Sequence, residues 1–344
     1  MSKLKNDRLI RVIKNLPVDR VPVWIMRQAG RTDPEYNKLR KNDSRSLEKL
    51  FEDPEVAIKI SLLPKRLGVD AIIMFQDILT PLTPAGAGFR FVPGPILENP
   101  IRSIEQIKKL RSVDPEIHLQ TVAQIIKGLN KNLKGELPLL GFAGSPMTLA
   151  IFMISGSNPK IKINEVLSFL EDRPEISQLL LDWLTELTID YLNFQIESGV
   201  HVIQLFESFA ELIDLEKYKK FVQPTHEKIF SSISNKTPSI LFTKELPHID
   251  LMIQSGASVL SVGSCIDLAV AKKKAPMMIF QGNVNNKILA DGSKDDITQA
   301  VERCYKKSGK HNHILNLNHG LLERTPFENV SHFVKVAKKL GRIE

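Results

Sequence analysis

The chain has 344 residues, of which 42% are hydrophobic and 25% charged, enough for one large core and unlike an intrinsically disordered protein. Its 47 Lys and Arg against 39 Asp and Glu give a net charge of +8, but the basic residues are scattered and form no stripe typical of nucleic-acid binding. Cys265 and Cys304 do not make a disulfide framework, and no apolar run approaches the roughly 20 residues of a membrane helix. We therefore expect a cytoplasmic protein with neither a nucleic-acid nor a membrane partner.

Short apolar runs alternate with segments that carry helix signals. The basic N-terminal stretch predicts a first helix. Asp53, Pro54 and Glu55 are typical of a helix start, and Gly68 of its end. A long leucine-rich helix is predicted from Pro174 to Gly199. Eight apolar runs predict buried strands, at 21–26, 71–75, 137–143, 201–206, 239–243, 258–262, 277–281 and 313–318.

This alternation predicts an α/β fold with a parallel sheet. Eight strands indicate a single (β/α)₈ TIM barrel, one domain over residues 1–344, although an open doubly wound sheet fits the same pattern. In a barrel, the functional side chains belong at the carboxyl ends of the strands.

Arginines follow the first predicted strand. Arg27 and Arg31 stand four residues apart and Arg40 comes after them, and guanidinium groups bind carboxylates or phosphates through paired hydrogen bonds. These residues therefore predict a site for a polyanionic ligand. The alternative is a set of surface ion pairs with Asp33, Glu35 or Asp43.

Two further strand ends carry titratable side chains. Asp77 follows the second predicted strand, where it either caps the next segment or faces inward as a catalytic carboxylate. His319 follows the eighth strand, and a structural role remains open for it as well. No phosphate-binding or dinucleotide-binding glycine motif is present, and nothing in the sequence requires a metal or an organic cofactor.

Six motifs follow one another along the chain. The longest is PVWIMRQAGRTDPEY at 22–36, and the others are MFQDILTPL (74–82), GFAGSPMTL (141–149), QLFES (204–208), FQGNV (280–284) and NLNHGLL (316–322). In this order they resemble the motifs of the uroporphyrinogen decarboxylase family, and the first is similar to the family's highly specific PVWxMRQAGRYxPEY.

The resemblance implies a homodimeric barrel that acts in porphyrin and haem biosynthesis. Such an enzyme removes CO₂ from the four acetate side chains of uroporphyrinogen III without a cofactor and releases coproporphyrinogen III. The resemblance also implies that Asp77 faces the pyrrole N–H groups and that Arg27 lies near the departing carboxylate. It assigns carboxylate binding or the shaping of the pocket to Gln28, Ala29, Gly30, Arg31, Phe152, Ser208 and His319, with Arg40 as a further candidate.

Several positions depart from the family pattern. Phe152 replaces a pocket tyrosine, so one hydroxyl is missing. Gly263 and Ser264 replace Asp and Trp, and Asn285 replaces Asp, so the predicted site loses two carboxylates, while Asp33 and Glu211 add carboxylates nearby. Thr32 and Asn318 also differ from the Tyr and Gly of the motifs.

These departures leave other functions open. A diverged paralogue would bind a tetrapyrrole with little or no turnover. A corrinoid methyltransferase-like barrel would need zinc bound by His and Cys, and this chain has no HxC pattern.

Overall fold

A parallel sheet of seven strands forms the centre of a mixed α/β fold. The computed structural model describes residues 4–92, 94–157, 159–233 and 235–343. Strands β1 and β4 to β9 form the sheet in chain order, and β2 and β3 form a separate antiparallel pair. The strands are β1 Ile72–Ile73, β2 Arg90–Phe91, β3 Pro95–Ile96, β4 Leu139–Gly144, β5 Val202–Glu207, β6 Ser239–Thr243, β7 Val259–Ser261, β8 Ile279–Gln281 and β9 His313–Ile314.

Helices fill most of the connections between these strands. The α-helices are α1 Arg8–Ile13, α2 Pro34–Asn42, α3 Leu47–Phe51, α4 Pro54–Leu62, α5 Ile104–Lys108, α6 Pro115–His118, α7 Gln120–Leu133, α8 Pro146–Ser155, α9 Pro159–Asp172, α10 Pro174–Ser198, α11 Leu215–Lys217, α12 Gln223–Ile233, α13 Ile249–Ile253, α14 Leu268–Lys274, α15 Asn286–Asp291, α16 Lys294–Ser308 and α17 Phe327–Leu340. Among the described residues, no helix is both long enough and apolar enough to cross a membrane.

The predicted helix signals act as expected at α4 and α10. Asp53 caps α4 by accepting hydrogen bonds from the N–H groups of Glu55 and Val56. A 3₁₀ turn continues this helix to Gly68, which has φ +76°. The long helix α10 ends at Gly199, where φ is +112°.

Each of the predicted strands at 71–75, 137–143, 201–206, 239–243, 258–262, 277–281 and 313–318 overlaps one strand of the sheet. The run at 21–26 forms only one parallel bridge, between Val23 and Leu315. Its N–H groups mostly bond to side chains: Val23 N–H to Asp70 Oδ2 at 2.8 Å, and Met26 N–H to Asn316 Oδ1 at 3.2 Å. Pro22 has no N–H to donate, and the backbone bonds to the chain after β9 are those of Trp24 N–H to Leu315 O at 3.4 Å and Leu315 N–H to Pro22 O at 2.9 Å.

Candidate active site

The carboxyl ends of the parallel strands surround a cavity of about 940 Å³. Because parallel strands end at the same edge of a sheet, residues far apart in the chain meet there. Six of the residues singled out from the sequence line this cavity: Arg27, Ala29, Asp77, Phe152, Ser208 and His319.

Arg27 projects into the cavity from an unusual backbone conformation. Its φ is +60°, a left-handed value that residues other than glycine seldom adopt. The side chain passes directly over Gly320, where an added Cβ would lie 2.4 Å from Arg27 Cδ and 2.6 Å from Cγ. The position of the guanidinium therefore depends on the absence of a side chain at residue 320.

The Asp77 carboxylate lines the same cavity, and the charge of Arg27 influences its pKa. Its Oδ1 accepts a hydrogen bond from Leu79 N–H at 2.8 Å, so Asp77 both caps the following turn and faces the cavity. Burial raises the pKa of Asp77 to about 6, and the Leu79 N–H and the Arg27 charge oppose that rise. Burial lowers the pKa of Arg27, and the Asp77 charge opposes that change.

Ser208 lies above a buried polar network at the end of β5. Its N–H donates to Thr148 Oγ1 at 2.9 Å, and Thr148 Oγ1 donates to Glu207 Oε1 at 2.6 Å. Ser145 also donates to Glu207, whose other neighbour is His226 Nε2 at 3.5 Å. The buried carboxylate thus connects β5 to the start of α8. The QLFES motif contains Glu207, but its sequence gives no sign of these partners.

An aromatic wall supports His319. Phe142, Phe206 and Phe242 pack in succession with ring centroids 5.7 and 5.4 Å apart, and the His319 ring lies 5.8 Å from Phe242. Burial, with the charges of Arg27 and Lys244, lowers the pKa of His319 to about 3. The imidazole is therefore neutral near pH 7 and offers one donor and one acceptor to a ligand.

Phe152 completes a second aromatic group on the cavity wall. Its ring lies 6.1 Å from Phe89 and 5.3 Å from Phe209, both in edge-to-face geometry. The hydroxyl that a tyrosine would carry at this position is absent, so this part of the wall is apolar.

Gln28 and Gly30 lie away from the cavity. The Gln28 amide is buried, where it donates to Ala71 O at 3.0 Å and accepts from Ile25 N–H at 3.2 Å. It therefore holds the Arg27 loop against the chain before β1. A Cβ at Gly30 would meet only Arg27 O, at 3.6 Å.

Arg31 and Arg40 also lie away from the cavity. Arg31 forms a 2.6 Å ion pair with Glu323 and its side chain is 55% exposed. Arg31 thus forms a surface ion pair, which was the alternative prediction from the sequence. Its partner lies in the chain after β9 and is not Asp33, Glu35 or Asp43. Arg40 donates to the backbone carbonyls of Asp43 and Arg45, at 3.2 and 2.8 Å.

Charged residues that the sequence did not single out also line the cavity: Lys160, Lys244, Glu245 and Lys287. Together with Arg27 and Asp77 they place four cations and two carboxylates around it. Lys244 and Glu245 directly follow β6, so they could have been predicted from the expectation that functional side chains lie at the carboxyl ends of strands. Lys160 lies in α9 away from any strand end, and the sequence offers no signal for it.

Asp33 and Glu211, the two carboxylates that the sequence adds near the predicted site, do not lie beside Gly263 and Ser264. Asp33 caps α2 and pairs with Arg66, away from the cavity, while Glu211 pairs with Lys244 at its edge. The carboxylate that lies beside Gly263 and Ser264 is Glu245, which accepts from Ser264 N–H at 2.9 Å. The described part of the chain holds no cluster of His, Cys, Asp and Glu suited to a metal ion.

Solved structures share this fold. A methyltransferase from Methanosarcina mazei superposes with a TM-score of 0.80 at 19% identity, over 98% of this chain and 99% of that one. A B12-independent methionine synthase from Shewanella sp. W3-18-1 gives a TM-score of 0.56 at 11% identity, over 85% of this chain and 90% of that one. At such identities the likeness concerns the fold alone.

Sequence comparison is more specific. The model of the family described as uroporphyrinogen decarboxylase matches residues 4–340. The uroporphyrinogen decarboxylase of Geobacter metallireducens is 36% identical over 342 residues, which cover 98% of this chain and 99% of that protein. That of Prochlorococcus marinus (strain NATL2A) is 34% identical over 344 residues, with 97% of each covered. Because this match extends over nearly the full chain and agrees with the fold and with the motifs at the strand ends, the chain belongs to the uroporphyrinogen decarboxylase family.

Proposed function

We propose that this chain is a carboxy-lyase that converts the four acetate side chains of uroporphyrinogen III to methyl groups, giving coproporphyrinogen III in porphyrin and haem biosynthesis. The observation that carries the proposal is the placement of Asp77 and Arg27 on one cavity wall within electrostatic reach of each other. The carboxylate suits a cationic pyrrole, and the guanidinium suits the carboxylate that leaves.

Each decarboxylation requires a place for the electron pair of the broken bond. Protonation of a pyrrole ring creates a cation that accepts this pair when the C–C bond to the carboxylate breaks and CO₂ leaves. The exocyclic methylene then takes up a proton to become methyl, and the ring loses its added proton. Asp77, a carboxylate that burial desolvates, stabilises the cation through its charge, and this route uses no cofactor.

The remaining carboxylates of the substrate need binding partners. Lys160, Lys244 and Lys287 line the cavity in addition to Arg27, so cations outnumber carboxylates in its lining, which favours a polyanionic ligand; Lys244 would bind it by exchanging its partner Glu211. Ser208 and neutral His319 supply hydrogen bonds to peripheral carboxylates. Arg31, paired with Glu323 at the surface, would reach the substrate only by exchanging that partner.

The proposal extends to the barrel and its assembly. We propose that segment 21–26 closes the sheet as an eighth strand between β9 and β1, since Val23 pairs with Leu315 and Val23 O accepts from Asp70 N–H at 2.7 Å. By resemblance to the family, the enzyme is a homodimer in the cytoplasm. Light scattering during size-exclusion chromatography should then give twice the mass of one chain.

The direct test is an anaerobic incubation of purified protein with uroporphyrinogen III, followed by oxidation and chromatography of the porphyrins. Coproporphyrin is expected, with seven-, six- and five-carboxylate intermediates. Unchanged uroporphyrin from a folded protein would contradict the proposal, and tight porphyrin binding in that sample would favour the non-catalytic paralogue.

Phe152→Tyr is expected to raise kcat/KM by about two- to tenfold. The new hydroxyl would project from an apolar part of the wall toward bound substrate, and a neutral hydrogen bond contributes about 0.5–1.5 kcal/mol. Steady-state kinetics would measure the change. The matched control is Phe209→Tyr, which adds a hydroxyl to the ring that packs on Phe152. Equal gains from both variants would show that the position of the hydroxyl is irrelevant.

The pH dependence of kcat/KM should show the titration of the Asp77 carboxyl. Because the pKa of this carboxyl is raised to about 6, it loses its charge as pH falls through that value, and kcat/KM should fall about tenfold per pH unit below it. His319, with a pKa near 3, stays neutral over this range. The residual activity of Asp77→Asn should lack this acid limb. An identical limb in that variant would assign it to another group.

A further inference from the structure

Glu245 connects the loops that follow three different strands. It comes directly after β6, and its carboxylate accepts hydrogen bonds from Ser264 N–H at 2.9 Å and Cys265 N–H at 2.9 Å, in the loop after β7. It also accepts from Asn318 Nδ2 at 2.7 Å, in the segment after β9. With the Ser264 hydroxyl at 3.1 Å, four donors converge on one carboxylate.

The backbone around Glu245 is shaped to hold this carboxylate in place. Glu245 has φ +46°, which a side-chain-bearing residue rarely adopts. The facing residue is Gly263, where a Cβ would lie 2.6 Å from Glu245 Cα and 2.8 Å from its Cδ. The close approach of Glu245 therefore requires a residue without a side chain at position 263.

A chain of hydrogen bonds leads from Glu245 to the Arg27 side. Asn318, which donates to Glu245, also accepts from Asn286 N–H at 2.8 Å. The Asn286 amide in turn donates to Gly320 O at 2.8 Å, and Gly320 is the residue against which Arg27 packs. Asn318 and Asn286 are both buried, so these bonds are shielded from water.

We propose that Glu245 is a positioning residue of the active site, which fixes the segment from Asn318 to Gly320 and through it the placement of His319 and Arg27. The proposal rests on the decarboxylase function proposed above. Glu245 lines the cavity itself, but its carboxylate is directed to the loops, and its effect on catalysis passes through their side chains.

Glu245→Gly removes the carboxylate and retains a residue that adopts positive φ without strain. This variant should fold and show kcat lowered about tenfold. Glu245→Gln keeps an oxygen that accepts from Asn318 and Ser264 and loses only the bond from Cys265 N–H, because its amide nitrogen cannot accept, so its kcat should stay within about threefold of the wild type. The control for lost negative charge is Glu186→Gln, at the exposed ion pair with Lys228, which should leave kcat within twofold.

Asn318→Ala should reproduce the loss of kcat, and the double variant with Glu245→Gly should lose no more than either single variant, because both changes break one connection. Equal kcat in the wild type and Glu245→Gly would overturn the proposal. Additive losses in the double variant would overturn it as well, since Glu245 would then act independently of the Asn318 segment.

A second readout does not depend on turnover. The Cys265 thiol is exposed and Cys304 is buried, so iodoacetamide at neutral pH should label Cys265 selectively. Partial desolvation and the Glu245 charge raise the pKa of the Cys265 thiol to about 11. Labelling should therefore speed up about tenfold in Glu245→Gly. An unchanged labelling rate would overturn the loop assignment itself, whereas faster labelling in a protein without turnover would contradict only the decarboxylase function.

Discussion

Asp77→Asn is expected to lower kcat about 10²- to 10³-fold and to leave KM within about threefold of the wild type. Asparagine keeps the shape of the side chain and an oxygen for the Leu79 N–H, so substrate should still bind. The lost charge matters most when a pyrrole becomes cationic, and removing a preorganised electrostatic group costs about this much. Single-turnover kinetics under anaerobic conditions would measure the chemical step directly.

The matched control is Gln76→Glu, which adds a carboxylate at the neighbouring position on the same cavity wall. If a nearby negative charge were sufficient, Asp77→Asn combined with Gln76→Glu would recover activity. We expect no recovery, because the Asp77 carboxylate is fixed by a backbone N–H whereas Gln76 bonds to Phe51 O at 2.7 Å. Full turnover by Asp77→Asn would remove the charge from the mechanism.

The same substitution should stabilise the fold at neutral pH. A carboxyl with a pKa raised from 3.8 to about 6 favours folding in its protonated form, and that stability is lost as pH rises through about 6. An amide has no charge to desolvate. The free energy of unfolding of Asp77→Asn at pH 7 should therefore exceed that of the wild type by about 1–3 kcal/mol, with a difference that vanishes near pH 4.

The sequence predicted the sheet well because each strand is a short apolar run buried on both faces. The run at 239–243 coincides with β6, and the other runs differ from the strands by a few residues at the ends. The run at 21–26 has the same apolar character but pairs differently. Two of its N–H groups, those of Val23 and Met26, donate to the side chains of Asp70 and Asn316 in other segments, and no local sequence pattern predicts these acceptors.

The residues of the candidate site were predictable where they follow the carboxyl ends of strands. Asp77, Ser208 and His319 follow the ends of β1, β5 and β9 by four, one and five residues and line the cavity. Arg31 follows the same rule in sequence, but the chain turns away after Arg27 and Arg31 meets Glu323, which is 292 positions further along. Spacing along a chain fixes neither the direction of a turn nor a distant partner.

Departures from the family motifs are individually uninformative and become interpretable in the structure. Gly263 and Ser264 remove an acidic side chain, and the sequence alone indicates a less acidic site. The structure places the Glu245 carboxylate in that region and bonds it to Ser264 and Asn318, another departure. Gly263, Ser264 and Asn318 thus form one contact set around Glu245, so reverting any of these three singly would disturb the others.

Gly320→Ala is expected to lower kcat/KM about 10²-fold with little loss of stability. The new Cβ would lie 2.4 Å from Arg27 Cδ, and the flexible side chain, rather than the backbone, would move to relieve the clash. Displacing a reacting group or its binding partner by about 1 Å is enough for an effect of this size. The control is Gly88→Ala, whose Cβ would meet Thr83 only at ordinary distances of 3.6 Å and more.

A double-mutant cycle would test whether Gly320→Ala lowers kcat/KM through Arg27. Arg27→Ala should itself lower kcat/KM at least 10²-fold, because the cation that binds the departing carboxylate is lost. It also deletes the Cγ and Cδ atoms that Gly320→Ala would strike, so the second substitution should then cost less than about threefold. Losses that multiply in the double variant would show that Gly320 acts on the site independently of Arg27. Losses that do not multiply would establish that the glycine serves to place the guanidinium.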